Sequence, residues 1–531
     1  MPGPLPDVIR ALLDPAAYDH GAPRIELIQT HISYVLLAGD FAYKIKKPLD
    51  LGFLDYSTLA RRKFLCEEEV RLNRRLCSGV YLGVVSITPG GTSGYRIGAA
   101  GNAVEYAVKM RRVPAARMMP ALLDRGAVTP DDIRAIARVM AEFHRASASD
   151  REIARFGRVD AVQQNIHDNF DQTRRFIGRT LRRDQFDAIA AYVDAFLREQ
   201  RDLIDRRADE GRVRDCHGDL RSDSIVIGED GQICVMDRIE FSDRLRFGDV
   251  ADDMAFLSMD LEFRGRRDLA DELVAAYLGE ANDETLPLVW SLYRCYRAYV
   301  RGKVDSLLLD EPDVPDDERE RASGRATAYF DLAYRYATES YPQAVVMMIG
   351  LSGTGKSYVA GALASRIGAA LLRSDVIRKQ SAGIDPATPM REALDTGTYA
   401  DAARASVYPL MHARASDYLA RGHGVVLDAT YISRANRDAA HRVAADAGVP
   451  FLAIEVTASE ELVRAHLAGR EAQRGAASDA GWEVYLAQRR RLEPPHELPP
   501  EGILRIDAGQ PLVANVDAAV AAIAQSAAKR S

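Results

Sequence analysis

Short apolar runs and longer amphipathic stretches alternate along the chain, and their order changes about two-thirds of the way through. Early on, "SYVLLAGDFAYKIKKP" (33–48) has the pattern of a β-hairpin, and "EYAVKMRRVP" (105–114) predicts a further strand. Helical patterns dominate 130–205 and fill 250–340. Beyond 344, apolar strands alternate with helices, which predicts a parallel sheet with crossover helices.

A compositional break separates these two patterns. The stretch "LLLDEPDVPDDERERASG" (307–324) is acidic, contains two prolines and predicts a surface loop leading into a helix. That helix ends at "ESYPQ" (339–343), and "AVVMMIG" (344–350) is typical of a buried parallel strand. We therefore expect two domains, 1–340 and 341–531.

Composition and charge narrow the class of protein. A chain of 531 residues exceeds what a single hydrophobic core supports, and 47% hydrophobic with 28% charged residues is ordinary for globular proteins. A net charge of -7 argues against broad, non-specific binding to nucleic acid, although a local basic groove would survive such an average. No apolar run approaches the roughly 20 residues of a membrane span, so we expect no membrane partner.

The cysteines give no sign of a zinc site or a disulfide framework. There are five of them, scattered and without CxxC spacing. The first residues, "MPGPLPDVIRALLDP", lack the basic start and apolar core of a signal peptide. The expected location is therefore a reducing cytoplasm.

The stretch "GLSGTGKS" (350–357) satisfies G-x-x-x-x-G-K-[ST], directly after a predicted strand and before a predicted helix. Backbone N–H groups of such a loop curl around phosphate oxygens, and the helix N-terminus adds partial positive charge. A glycine-rich turn opening an ordinary helix is the bland alternative. The predicted nucleotide-binding residues here are Gly350, Ser352, Gly353, Thr354, Gly355, Lys356 and Ser357, with the Ser357 hydroxyl also a Mg²⁺ ligand.

Acidic residues follow the next two predicted strands. "ALLRSDVIRKQ" (370–380) supplies Asp375, a candidate base for a substrate hydroxyl, and Arg378, which would hold the substrate. An exposed i,i+3 ion pair is the alternative. "GVVLDATYIS" (424–433) ends its strand at Asp428, which would order Mg²⁺ through water or bind substrate. Without an Asp-Glu pair there, transfer to a hydroxyl is favoured over simple hydrolysis.

A helix beginning near 462 carries Arg470 and Arg474, which could neutralise a moving phosphoryl group from a closing lid or simply be solvated. Residues 345–510 resemble the P-loop kinases, including polynucleotide kinase, gluconate kinase and zeta-toxin-type enzymes. The Asp-x-x-Arg at 375–378 most resembles the 5′-hydroxyl polynucleotide kinases, in which those positions act as base and phosphate anchor. Tyr431 stands where relatives often carry Asn.

A second site is indicated by "CHGDLRSDSIVIGEDGQICVMDRIEF" (216–241), which resembles the catalytic loop of the aminoglycoside phosphotransferase and kinase-like superfamily. The resemblance extends over 1–340, with an N-lobe at about 25–115 and a C-lobe at about 116–340. It implies Asp219 as the base and Asp237, expected to end a strand, as a Mg²⁺ ligand. It also implies a phosphate-binding lysine, Lys44 or Lys46, and a partner glutamate, for which Glu69 fits the apolar spacing best and Glu68 next.

Two residues depart from that family pattern. Relatives usually read H-G-D-L-H-x-x-N, whereas this chain has Arg221 and, at the metal-binding Asn position, Ser224. A Ser hydroxyl is a shorter and weaker metal ligand than an Asn carbonyl. The domain could be active with one well-held metal, bind nucleotide without turnover, or serve as a recognition module.

Together these features predict an α/β and α+β protein: a bilobal kinase-like domain followed by a P-loop domain with a parallel sheet. The expected activity is ATP- and Mg²⁺-dependent phosphoryl transfer to a hydroxyl, mainly at the P-loop site. The acceptor could be a small molecule or a nucleic-acid 5′ end, since basic stretches at 61–63 and 488–491 could follow a phosphate backbone. The alternative is an ATP-binding regulatory or recognition protein whose kinase-like domain is weak or inactive. Antibiotic resistance would rest on fold analogy alone. The sequence does not indicate the oligomeric state or distinguish ATP from GTP.

Overall fold

The computed structural model describes residues 5–52, 54–312, 314–384, 401–472 and 481–528, without the side chains of 401–406, 470–472 and 501. Its first part holds an antiparallel sheet of six strands in the order β1-β2-β3-β6-β4-β5. The strands are β1 (Ile25–Gln29), β2 (Ser33–Ala38), β3 (Phe41–Lys46), β4 (Tyr81–Pro89), β5 (Tyr95–Ile97) and β6 (Glu105–Arg111). The predicted hairpin is confirmed, because β2 and β3 pair from Ser33↔Lys46 to Ala38↔Phe41.

Two helices accompany this sheet: α1 (Asp7–Ala11) and α2 (Leu59–Asn73). Helix α2 packs on β4 and β6 and begins at Thr58, whose hydroxyl caps it by accepting from the Arg61 N–H. Glu69 lies on its buried face. The sheet and α2 form the smaller lobe of a kinase-like domain.

The larger lobe is mainly helical. Thr129 caps the helix Pro130–Ala146 through a capping box, in which the Thr129 hydroxyl accepts from the Asp132 N–H and the Asp132 carboxylate accepts from the Thr129 N–H. The helices are α3 (Met119–Asp124), α4 (Pro130–Ala146), α5 (Arg151–Ala154), α6 (Val159–Thr173), α7 (Arg183–Glu199), α8 (Arg201–Asp209), α9 (Asp243–Arg246), α10 (Val250–Phe263), α11 (Arg267–Ala281), α12 (Leu286–Leu307) and α13 (Asp316–Thr338). Two short antiparallel sheets of two strands each pair β7 (Val213–Asp215) with β10 (Phe247–Asp249), and β8 (Ile225–Ile227) with β9 (Ile233–Val235).

The C-terminal part is built on a parallel sheet with the order β12-β13-β11-β14-β15, as the alternating pattern predicted. Its strands are β11 (Val345–Ile349), β12 (Ala370–Arg373), β13 (Val425–Asp428), β14 (Phe451–Thr457) and β15 (Ile503–Asp507). Its helices are α14 (Lys356–Ile367), α15 (Ser374–Ser381), α16 (Asp401–Ala420), α17 (Arg434–Asp446), α18 (Glu460–Ala472), α19 (Trp482–Arg491) and α20 (Leu512–Ala528).

The two parts share one hydrophobic core. A side chain at Gly361 of α14 would meet Leu278 of α11 at 3.5 Å, so these helices lie close together. The Leu371 N–H of β12 donates to the Glu284 carbonyl at 3.0 Å, and Arg366 of α14 donates to Asp271 of α11 at 2.7 Å. Because packing is continuous across the linker, a boundary near 340 stays a prediction.

One sequence-based expectation was wrong. Cys77 and Cys234 form a disulfide, with Cα atoms 4.8 Å apart, although they are 157 residues apart in sequence. The pair joins the segment after α2 to β9, and only the fold brings these two residues together. Within the described residues, every helix falls short of the length and apolar character needed to cross a bilayer.

Candidate active sites

The P-loop connects β11 to α14 in the context that the sequence predicted. Gly350, Gly353 and Gly355 have φ values of 146°, 85° and 88°, in the region that favours glycine. Added Cβ atoms would also collide: that of Gly350 would lie 2.6 Å from the Val456 carbonyl, and that of Gly353 2.9 Å from Leu467. The loop therefore carries no side chain at these positions, so an anion can approach its backbone closely.

Side chains hold the loop in this curled shape. Thr354 Oγ1 and Lys356 Nζ both donate to the Leu351 carbonyl, each at 2.9 Å. The Ser352 N–H donates to Gln488 Oε1 of α19 at 2.8 Å. Ser357 follows in the first turn of α14. These contacts keep the loop curled. Its predicted ligand-binding groups lie at the edge of the sheet formed by the carboxyl ends of the strands.

Asp375 and Asp428 lie at that same edge. Asp428 ends β13, paired in register with Met348 of β11 and Arg373 of β12. Asp375 lies in the first turn of α15, directly after β12, and Arg378 is 3.5 Å from its carboxylate. The carboxyl ends of adjacent parallel strands form the crevice in which such sheets bind ligands.

Helix α18 packs against the P-loop. His466 Nδ1 lies 2.9 Å from the Gly353 carbonyl, and Leu467 packs on the same glycine. The two predicted lid arginines cannot be placed, since the Arg470 side chain and Arg474 lie outside the described residues. Tyr431 is buried with φ 47°, and its hydroxyl lies 3.0 Å from His412 Nε2.

In the kinase-like domain, two lysines share one glutamate. Lys44 and Lys46 lie 2.8 Å and 2.6 Å from the two carboxylate oxygens of Glu69. Lys44 also reaches Asp237 at 3.0 Å and thus faces the cleft, whereas Lys46 is buried against Glu240 and Tyr56. Burial raises the pKa of Glu69, but the charges of the two lysines outweigh it and lower that pKa to about 2.

Asp237 lies two residues beyond the end of β9, and the expectation that it ends this strand was therefore wrong. Its φ of 59° turns the chain sharply, and its N–H donates to the Tyr81 hydroxyl at 3.1 Å. The next N–H, of Arg238, donates to Asn73 Oδ1 at the end of α2. These two hydrogen bonds attach the turn that carries Asp237, the predicted metal ligand, to the small lobe.

The HGD turn is organised by a buried carboxylate. Asp253 of α10 accepts from the His217 N–H at 2.6 Å, the Gly218 N–H at 2.8 Å and His144 Nε2 at 3.2 Å. A side chain at Gly218 would lie 2.8 Å from the Leu245 carbonyl. These constraints leave Asp219 projecting from a rigid turn.

Arg221 and Ser224 change the surroundings of Asp219. Arg221 Nε lies 3.2 Å from Asp219 Oδ1, and its Nη1 donates to Asp223 at 2.6 Å. Desolvation raises the pKa of Asp219, but the Arg221 guanidinium outweighs it and the pKa is lowered. The Ser224 hydroxyl donates to the Arg221 carbonyl at 2.7 Å. In this arrangement the Ser224 hydroxyl forms its hydrogen bond within its own turn.

Two family models match separate parts of the chain: residues 65–290 match the Phosphotransferase enzyme family, and residues 345–495 match an AAA domain. The uncharacterized proteins Rv2004c of Mycobacterium tuberculosis and Mb2027c of Mycobacterium bovis are each 31% identical over 465 residues, covering 88% of this chain and 89% of theirs. The chain belongs to the family of these mycobacterial proteins. As a member, it joins a domain resembling the aminoglycoside phosphotransferases to a P-loop kinase-like domain, which confirms the predicted resemblance.

Solved structures resemble each part of this family member. A gluconokinase from Sinorhizobium meliloti is 23% identical and covers 36% of this chain and 97% of its own, with a TM-score of 0.26. Aminoglycoside 2'-phosphotransferase-IIIa is 17% identical and covers 59% of this chain and 94% of its own, with a TM-score of 0.38. The two family matches support a phosphotransfer function for this protein.

Several contacts in this family member were missed from the sequence. Glu240 completes the burial of Lys46, Asp253 fixes the HGD turn, and His466 holds the P-loop from α18. Glu240 lies within the quoted stretch 216–241 but was given no role there, and Asp253 and His466 belong to no motif that we identified. Asp253 stands in "DVADDMAFLSMDLE", whose carboxylates could have been weighed as partners of the HGD backbone.

Proposed function

We propose that the protein transfers the γ-phosphoryl group of ATP to an acceptor hydroxyl, chiefly at the P-loop site. One observation carries this proposal: a loop with no room for a Cβ at Gly350 or Gly353 lies at the sheet edge that also presents Asp375 and Asp428. Such a combination brings phosphate-binding amides, hard oxygen ligands and a carboxylate base to one crevice.

The residues present fit a nucleotide and Mg²⁺. The bare loop cradles an anion, and the Ser357 hydroxyl and Asp428 carboxylate are hard oxygen donors that would hold Mg²⁺. When bound, the metal ion neutralises charge on the phosphate oxygens. The remaining catalytic work falls to side chains of this chain.

In the proposed step, Asp375 accepts the proton of the acceptor hydroxyl while Arg378, one helical turn on, orients the acceptor. The acceptor oxygen forms a bond to the γ-phosphorus, and the bond from that phosphorus to the β–γ bridging oxygen breaks, releasing ADP. Lys356 stabilises the charge on the transferring group. Arg470 of α18 and Arg474, four residues further along the sequence, are proposed to neutralise charge on that group.

A second function is favoured for the kinase-like domain. Lys44 contacts both Glu69 and Asp237, which supports nucleotide binding, whereas Asp219 is paired with Arg221. We propose that this domain binds nucleotide with weak turnover or none, and thereby senses it. A 5′-hydroxyl polynucleotide and a small molecule remain the two acceptor classes for the P-loop site.

The proposal is tested by transfer of labelled γ-phosphate to 5′-hydroxyl DNA and RNA, sugars and aminoglycosides. Wild type is compared with Lys356→Ala, Asp219→Asn and the matched control Arg183→Ala, an exposed cation of α7. Loss of transfer in Lys356→Ala alone is the expected result. Loss in Asp219→Asn alone would move catalysis to the kinase-like domain and refute the proposal.

A further inference from the structure

A cavity of about 770 Å³ lies where the kinase-like domain meets the P-loop domain. Gly355 and Tyr358 form one wall, the start of α20 and the loop before it form the floor, and α4 and α11 form the opposite wall. Its volume falls within the roughly 300–1,000 Å³ typical of small-molecule sites. It adjoins the P-loop at the first turn of α14.

That position suits the nucleoside of a P-loop nucleotide. Phosphates on the loop amides lie at the N-terminus of α14, so the attached nucleoside must leave beside the first turn of that helix. Gly355 is flanked there by Ala508 and His466, at 3.2 Å and 3.9 Å from the position of an added Cβ. The cavity begins at this glycine.

The wall supplied by the kinase-like domain is polar and ordered. Tyr358, the residue after Ser357, donates through its hydroxyl to Glu272 Oε2 of α11 at 2.7 Å. Arg134 of α4 donates to the Tyr358 hydroxyl at 3.2 Å and to Glu272 at 3.3 Å. Asp131 pairs with Arg134 at 2.6 Å. Helices α4 and α11 are thus bonded to the phosphate-binding helix.

These side chains have the chemistry to recognise a nucleoside. A guanidinium plane can stack on a base, and Arg134 already lies 5.5 Å from the centre of the Tyr358 ring, with 43% of its side chain exposed. The carboxylates of Asp131 and Glu272 can accept hydrogen bonds from ribose hydroxyls or an exocyclic amine. Leu269 and Leu512 add apolar surface to the same cavity.

We propose that this cavity is the nucleoside subsite of the P-loop site and that the kinase-like domain contributes Arg134 and Glu272 to it. The ligand class is a nucleoside triphosphate, bound jointly by both domains. Nucleotide bound at the P-loop would therefore contact α4 and α11 directly. Helix α11 also packs on α10, which carries Asp253. This inference rests on the proposed nucleotide binding at the P-loop.

Equilibrium binding of ATP and of inorganic tripolyphosphate to the full chain separates base recognition from phosphate recognition. The part of each binding curve that Lys356→Ala removes is assigned to the P-loop site and is called the P-loop component. Arg134→Ala and Glu272→Gln are expected to weaken the P-loop component for ATP about tenfold, or about 1.4 kcal/mol, and to leave tripolyphosphate unchanged. Arg138→Ala, one turn along α4 and paired with Glu280, is the matched control and should change neither ligand.

The outcomes are distinguishable. If Lys356→Ala alters binding of neither ligand, the proposed P-loop function fails. If Lys356→Ala weakens both ligands while Arg134→Ala and Glu272→Gln weaken neither, or weaken both equally, the shared subsite is refuted and the P-loop function stands. Photolabelling with 8-azido-ATP gives a second readout that needs no variant in the wall. Attachment to α4 or α11 that Lys356→Ala abolishes supports the subsite, and Lys356-dependent attachment that avoids both helices overturns it.

Discussion

Arg221 binds the carboxylate of Asp219 two residues before it, with Nε 3.2 Å from Oδ1. The guanidinium bridges Asp219 and Asp223 and also contacts the Phe256 ring. A carboxylate with a lowered pKa is a weaker base, and an acceptor hydroxyl would have to displace Arg221 to reach it. This arrangement supports the proposal that the kinase-like site holds nucleotide and resists transfer.

Restoring the usual family residues should restore turnover. In a Lys356→Ala background, the double change Arg221→His and Ser224→Asn frees Asp219 and supplies a second metal ligand, so ATP turnover should rise at least about tenfold, since a positioned base contributes about 10²-fold or more. Steady-state release of ADP measures it. Arg183→His, a similar change at the exposed ion pair with Asp187 on α7, is the control. Unchanged turnover in the double variant would mean that Arg221 does not restrain Asp219.

Lys44 and Lys46 should differ in what their loss does. Lys46→Met leaves Glu69 and Glu240 buried with less compensation and should destabilise the protein by about 3–5 kcal/mol. Lys44→Met should cost less stability but weaken ATP binding in the Lys356→Ala background, because Lys44 faces Asp237. Thermal melts with and without ATP compare the two. Equal effects of both variants on ATP binding would contradict the assignment of Lys44 as the phosphate-binding lysine.

The buried Glu69 cluster should make stability fall in acid. The pKa of Glu69 is lowered from 4.5 to about 2 in the folded chain, so its contribution is complete above about pH 4.5 and is lost as pH falls towards 2. The difference corresponds to about 3 kcal/mol. Melting temperatures between pH 6 and pH 3 should fall less steeply in Glu69→Gln than in wild type. Glu67→Gln, exposed on the same helix, should keep the wild-type slope.

Substitutions at two glycines with similar φ values can distinguish steric crowding from backbone strain as the cause of a loss of binding. Gly353→Ala meets Leu467 at 2.9 Å and Val463 at 3.0 Å, so we expect tripolyphosphate binding to fall at least about tenfold as the loop and α18 move apart. Gly368→Ala has φ 64° but no neighbour within 4 Å, and should cost about 1 kcal/mol of stability without affecting binding. Calorimetric titration of both variants checks this. Equal binding losses would show that backbone strain, not contact with α18, is responsible.

Local patterns predicted the P-loop, its flanking strand and helix, and the β2–β3 hairpin, each of which depends on residues close in sequence or on a motif with fixed spacing. The contact of Glu69 with a lysine was predicted through the family resemblance instead. The pairing of Tyr358 with Glu272, the disulfide between Cys77 and Cys234, and the support of the HGD turn by Asp253 join residues 36 to 157 positions apart. A single sequence carries no local signal for such contacts, because burial and chain path decide them together.

The shared core between α11 and α14 has a consequence for how the protein comes apart. Severing the peptide bond near residue 340 would leave Leu278 on one fragment and Leu363 on the other, each still requiring cover from the other's apolar face. The nicked halves should therefore elute together in gel filtration. Grafting either half onto a different partner would first require the exposed surface to be redesigned.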